Sequence, residues 1–325
     1  MRFKLLFIMA ALAIMAGLSA REPLQAGTLS AGGQSWYVWW DSGMAKMTAA
    51  SVEAQLKREM NSATGVNFTN YGGLEVGDPE SRGFIYGPLL GYQTDDKKWD
   101  FTLAMMWWGT YSTKVPSSVT ITGTFPIIGS ATQKLGINTD LTVEHKDIDF
   151  RAAYKLTDLF LVFGGYKYQS YETAIKADYL FNLTSPMSAA LDFSMKAQMH
   201  MPYAGVGIMQ PFYDIFTAKA NAGVGLIAGG NIDQKLSIRS SNSIMNADYS
   251  FDKGKVEMAY CLMGDAAVAV KLVNRVNLEL GYQYQRFTFK VKDVDLNADG
   301  RAEESGSETD VFHGVTVKAV MLFDI

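Results

Sequence analysis

The chain has 325 residues, a net charge of −4, 48% hydrophobic content and a mean hydropathy of +0.01. That acidic balance excludes nucleic acid as the partner, because backbone phosphates require a basic surface. A single cysteine, Cys261, excludes an internal disulfide and reads as strand packing.

In chain order, the first element is a targeting signal. Arg2 and Lys4 form a positive start, and Leu5 to Leu18 is an uninterrupted apolar stretch followed by small residues. It is too short to cross a bilayer as a helix and fits a secretory signal peptide over 1–20, with cleavage at Ala20 or as late as Ala26. No cysteine stands directly after the apolar stretch, so a lipoprotein anchor is not expected. Residues 27–325 read as one domain. No run of eighteen apolar residues occurs there, so entry into a membrane requires a closed barrel that leaves no unpaired strand edge in lipid.

The first long polar connection, Asp41 to Ser81, contains Met44 to Met60, which has helical composition. Beyond it the dominant pattern is alternation with a period of two. Trp99 and Tyr111 share one face of a segment that rises roughly 30 Å at the tilt usual for barrel strands, the height of an apolar band with its aromatic girdles. Ile148, Phe150, Ala152, Tyr154 and Leu156 alternate with Asp147, Asp149, Arg151 and Lys155. Phe216 to Leu226 alternates with Thr217, Lys219, Asn221, Gly223 and Gly225, and Val256 to Leu272 with Glu257, Asp265 and Lys271. Val276, Leu278, Leu280, Tyr282 and Tyr284 alternate with Asn277, Glu279, Gln283 and Gln285. Helical spacing fits none of these segments, so they are strands. They run to roughly 10–16 residues, longer than the usual globular strand, and tyrosines such as Tyr166, Tyr168, Tyr282 and Tyr284 lie late in them. A soluble sandwich would place the apolar face inward; strand length and aromatic placement favour lipid outside and a polar lumen.

Short turns near Thr94–Lys97, Leu156–Asp158, Gln210–Asp214 and Leu272–Asn274 alternate with long connections at Asp41–Ser81, Ser112–Asp140, Glu172–Lys196, Asn231–Lys253 and Lys292–Asp310. The fold class expected is therefore all-β: a single closed antiparallel transmembrane β-barrel of about ten strands (roughly eight to twelve), with short periplasmic turns, long extracellular loops and both termini periplasmic. The last strand, Val311 to Ile325, places Val315, Val317, Ala319, Met321, Phe323 and Ile325 on one face. It resembles the C-terminal signal of bacterial outer-membrane barrels, although Asp324 and Ile325 follow Phe323 where many members end in Phe. Ser35-Trp36-Tyr37-Val38, Pro202-Tyr203-Ala204-Gly205-Val206-Gly207 and Leu278-Glu279-Leu280-Gly281-Tyr282-Gln283-Tyr284 are similar to pieces of small barrels of the OmpA, OmpX and OmpW type. The resemblance implies an outer-membrane location, outer-membrane lipid and lipopolysaccharide as surroundings, and the barrel-assembly machinery as a partner through the last strand.

Several stretches bear on chemistry. Gly223-Val224-Gly225-Leu226-Ile227-Ala228 fits a dinucleotide fingerprint formally, but it lies inside an alternating strand where a helix start is needed. Asp147 and Asp149 share a face, a pairing that shifts pKa values. Omptin proteases set an Asp pair against an Asp-x-His pair, and none of His145, His200 or His313 follows an Asp by two residues. Lipid A deacylases carry His-x-Ser, which is also missing. An enzyme is therefore not expected. Asp147 and Asp149 read instead as part of a lumenal ion network with Arg151, Lys155, Lys167, Lys219, Glu257, Lys271 and Glu279, since buried charges must be paired. Part of the lumen is expected to be apolar, because Leu159, Leu161 and Phe163 share a face with Lys167, as Met106 and Trp108 do with Asp100.

The sharpest local motif is a calcium loop. Asp295, Asn297, Asp299 and Glu303 supply oxygens at positions 1, 3, 5 and 9, Gly300 the sharp turn, and Arg301 its backbone carbonyl. Position 12 is Gly306 where a bidentate Glu is usual, so a solvated acidic loop tip stands beside the calcium reading. No cofactor is otherwise required. Three function classes follow: a structural or surface-binding barrel whose loops meet an extracellular ligand, a narrow pore or lateral path for small or apolar molecules, and, behind both, a barrel hydrolase.

Overall fold

The computed structural model describes residues 27–42, 70–76, 81–107, 109–125, 129–182, 186–240, 247–250, 254–273, 275–293 and 307–324. The signal peptide expected over 1–20, the helical stretch expected at 44–60, Trp108 and the calcium loop expected at 295–303 lie outside the described residues. Within them are the strands β1 (Thr28–Ser42), β2 (Asn70–Val76), β3 (Ser81–Gln93), β4 (Trp99–Met106), β5 (Thr110–Phe125), β6 (Gly129–Lys155), β7 (Phe160–Asn182), β8 (Pro186–Phe212), β9 (Phe216–Ile227), β10 (Gly229–Ser240), β11 (Ala247–Ser250), β12 (Gly254–Val273), β13 (Val276–Lys292) and β14 (Glu308–Asp324).

Ten of these close a ring in the order β1-β3-β4-β6-β7-β8-β9-β12-β13-β14, each antiparallel to its neighbours. Closure is made by β1, which pairs with β14 from Thr28↔Asp324 to Ser42↔Asp310 and with β3 on its other side. All four short turns lie at the end where β1 begins and β14 finishes. At one, the Thr94 hydroxyl donates to Asp96 (2.5 Å) and accepts the Trp99 amide (3.1 Å), while Asp96 accepts the Lys98 amide (3.0 Å). At the next, Thr157 Oγ1 accepts the amides of Leu159 and Phe160. These hydroxyl and carboxylate caps satisfy backbone donors that the ladder cannot reach.

Near the turns the ring wears its apolar side outward. Leu280, Tyr282, Val315, Val317, Val206, Ile208, Val224, Leu226 and Val268 are all exposed. Trp99, Phe160, Phe212 and Phe323 form the girdle at the turn end. From Val276 to Arg286 the outward face of β13 climbs about 25 Å, the expected height of a lipid-facing band. This is a transmembrane barrel by its own surface.

Further from the turns the polarity inverts. On β13 the inward residues are Glu279, Gln283 and Gln285 low down and then Phe287, Phe289 and Val291, all three buried; outward, Tyr282 and Tyr284 give way to Arg286 and Lys290. On β8 the exposed Val206 and Ile208 are succeeded by inward, buried Met201, Met199, Met195 and Phe193. Above that level the outside meets water and the interior holds an apolar core.

On one side the wall continues upward. β4 passes into β5 across Gly109 and β9 into β10 across Gly229, both glycines with φ above +150°. The seven strands β2-β5-β6-β7-β8-β10-β11 then form one sheet. Strands β6 and β8 have 27 residues each, about 90 Å of chain at the usual rise, well beyond a single crossing.

Three sequence expectations change. The stretch from Trp99 to Tyr111 is not one strand: it breaks between Met106 and Thr110, and exposed Trp107 is the outward aromatic above Trp99. The alternation of Val256 to Leu272 is interrupted by a register shift between Glu257 and Tyr260. Below it Leu262 and Val268 face lipid; above it Val256 is buried and Glu257 turns outward to pair with Lys292. Glu257 therefore leaves the lumenal network, because a bulge reverses every later side chain. Lys271 is likewise exposed, with its amide bonded to Ile215 in the turn.

Candidate functional site in the barrel lumen

The lumen is crossed by three tiers of charged and polar side chains. Nearest the turns, Glu279 on β13 accepts Lys219 from β9 (2.7 Å) and Lys318 from β14 (2.8 Å). Glu279 and Lys318 are direct partners in the β13–β14 register, so one carboxylate ties three strands together.

In the second tier Arg151 on β6 donates to Asn221 Oδ1 on β9 (3.1 Å), and Asn221 Nδ2 donates to Asp265 on β12 (2.8 Å). The Arg151 guanidinium also lies 4.0 Å over the Phe163 ring, the stacking geometry that favours arginine over lysine. The Tyr203 hydroxyl on β8 donates to Asp149 on β6 (2.6 Å). That bond passes over β7, where Gly165 stands opposite Tyr203; a Cβ there would collide with the phenol ring. Phe163, Tyr203 and Ala153 form a small apolar cluster with Leu161 and Met263 beside it, so part of the lumen is apolar as the alternation implied.

The third tier is the most enclosed. Asp147 on β6 has His145 Nε2 at 2.6 Å from one oxygen and Lys167 Nζ at 2.9 Å from the other, which also accepts Gln169 Nε2 at 3.3 Å. Lys167 donates onward to Gln285 Oε1 on β13 (3.1 Å), spanning the bore. Both partners of the central ion pair are about one-twentieth exposed. Directly above, the Phe312 ring contacts His145 (5.2 Å), stacks on Trp40 (5.6 Å) and meets Phe287 edge-on (5.7 Å). An aromatic lid on an ion cluster removes water from it, which strengthens each charge-assisted bond and makes each unpaired charge costly.

The lumenal network expected from Asp147 and Asp149 is present, with Arg151, Lys167, Lys219 and Glu279 in it; Lys155 stands beside the turns, its amide bonded to Lys98. Sequence reasoning missed His145, Tyr203, Asn221 and Lys318. His145 was legible, since it sits two residues before Asp147 on the same face, the reverse of the Asp-x-His order. The others depend on partners 39 to 70 positions away. Gly223 to Ile227 lies within β9, as its context implied. Among the described residues no group of three His, Cys, Asp or Glu side chains could hold a metal ion.

Among solved structures the chain is similar to the outer membrane protease OmpT from Escherichia coli, at 11% identity, over 92% of this chain and 96% of that chain, with a TM-score of 0.43. It is similar to the outer membrane protein OprG from Pseudomonas aeruginosa, at 9% identity, over 93% and 98%, with a TM-score of 0.33. The translocator domain of the autotransporter NalP from Neisseria meningitidis gives 10% identity, 96% of both chains and a TM-score of 0.34. No protein family matches the sequence, and no curated protein does. Two of these three are outer membrane proteins, and none of them is singled out.

Proposed function

We propose that this chain is an integral outer-membrane protein that acts through the strands and loops it raises above the bilayer, with no open channel through its lumen. The observation that carries this reading is the closed third tier, where Asp147, Lys167, Gln169 and Gln285 meet across the bore beneath an aromatic lid. A barrel of ten strands has room for little beyond its own side chains, and these are spoken for. The wall above carries exposed charges on its outer side, such as Lys176, Asp192, Arg239 and Asp248, and binding residues concentrate where a rigid frame holds loops in solvent. In this reading both termini are periplasmic, the last strand engages the assembly machinery, and the loops meet an extracellular ligand. Planar-bilayer recording tests it: the expected result is a silent membrane, and steady discrete openings would favour the narrow-pore reading instead.

The loop at 295–303 adds calcium to the proposal. Asp295, Asn297, Asp299, the Arg301 carbonyl and Glu303 offer a hard-cation ligand set with weak, millimolar-range affinity, since position 12 lacks its carboxylate. Titration calorimetry on the full chain should show calcium heats that disappear in Asp299→Ala. Equal heats in both proteins would remove the site.

A further inference from the structure

Just past the lipid-facing band, on the outer faces of β12 and β13, stand four cations: Lys255, Arg286, Lys290 and Lys292. Two carboxylates neighbour them. Glu257 pairs with Lys292, and Asp293 lies 3.4 Å from Lys255.

Arg286 differs from the rest in position. It is exposed, and its side chain makes no hydrogen bond or ion pair with any described residue. Its direct cross-strand partners are Leu262 on β12 and Val311 on β14, neither of which can accept a hydrogen bond through its side chain. Tyr284, two residues nearer the turns, and Tyr260 on β12 are exposed beside it. The guanidinium thus projects at the level where the outward surface changes from apolar to charged, flanked by side chains suited to acyl chains. A guanidinium at that boundary is satisfied by an anion held in the headgroup layer, and its planar fork matches a phosphate bidentately.

We propose that the outer face of β12 and β13 binds a phosphate-bearing membrane lipid, with Arg286 clamping the phosphate and Leu262 and Tyr284, level with it and nearer the turns, receiving the upper acyl chains. A membrane lipid fits better than a soluble anion because the clamp is set against exposed apolar side chains, which a free phosphate would leave in water. The proposal rests on the reading of the outward apolar band as membrane-spanning and is independent of which leaflet the clamp faces.

The test uses the full chain in neutral-detergent micelles or neutral nanodiscs, with phosphatidic acid, diacylglycerol and inorganic phosphate as probes and native mass spectrometry as readout. Wild type should retain phosphatidic acid and not diacylglycerol. Arg286→Gln should weaken retention about tenfold, as expected for losing one bidentate charge-assisted contact, and Arg286→Lys less than that. Lys146→Gln, which alters an outward lysine paired with Glu144 elsewhere on the ring, should leave retention unchanged. Folding of each variant is checked by heat-modifiable migration. Undiminished retention in Arg286→Gln, equal retention of diacylglycerol, or displacement of the lipid by inorganic phosphate at similar concentration would each overturn the clamp. A wild-type chain that fails to enter bilayers overturns the band and the clamp together, whereas one that inserts and retains no phosphatidic acid overturns the clamp alone.

Discussion

Replacing Lys167 by Met keeps the length of the side chain and removes its charge. In the wild type the ammonium sits 2.9 Å from Asp147 and 3.1 Å from Gln285, both within a tier almost closed to water. The variant leaves Asp147 with His145 and Gln169 as its remaining donors. Breaking a buried pair from one side costs about 3–5 kcal/mol, because the surviving charge stays desolvated. Here the His145 contact offsets part of that loss, so about 3 kcal/mol is expected. Adding Asp147→Asn should recover most of it, since the orphaned charge is then gone. Urea unfolding of barrels in lipid vesicles, followed by tryptophan fluorescence, reads both differences. The exposed pair Lys146–Glu144, at 3.3 Å, serves as control and should contribute under about 1 kcal/mol. If Lys167→Met costs no more than the control, or the double variant is as unstable as the single, the third tier is not a sealed ion pair and the argument for a closed lumen fails.

Two further results are expected. Gly229→Ala meets open space and should cost only the backbone strain of its positive φ, about 1–3 kcal/mol, whereas Gly109→Ala also drives a Cβ into the Phe84 carbonyl and should cost more; equal costs in vesicle unfolding would refute this difference. Asp96, in the first short turn, is held below its ordinary pKa of 3.8 by the Thr94 hydroxyl first and then the Lys98 amide. Its stabilisation is therefore complete above that ordinary value and is lost as pH falls through the depressed one. NMR titration should place the Asp96 inflection below 3.8 in wild type and move it upward in Thr94→Val; a wild-type inflection at or above 3.8 contradicts the turn geometry.

Alternation in the sequence was enough for the outward band, the short turns and most of the strands, though not for the break between Met106 and Thr110. A period of two declares which residues share a face, and long runs bounded by short turns leave a closed barrel as the way to put them in lipid. It also brought Asp147 and Asp149 to the lumen with cations of the same parity. Tertiary structure alone decided which charges meet, as with Glu279 between Lys219 and Lys318 or Tyr203 reaching Asp149 over Gly165. Register between distant strands is absent from any local pattern. The same holds for the bulge that turns Glu257 outward and for the level at which polarity inverts. Inversion depends on where each strand leaves the membrane, and a residue's face is only apolar or polar relative to the solvent it meets there.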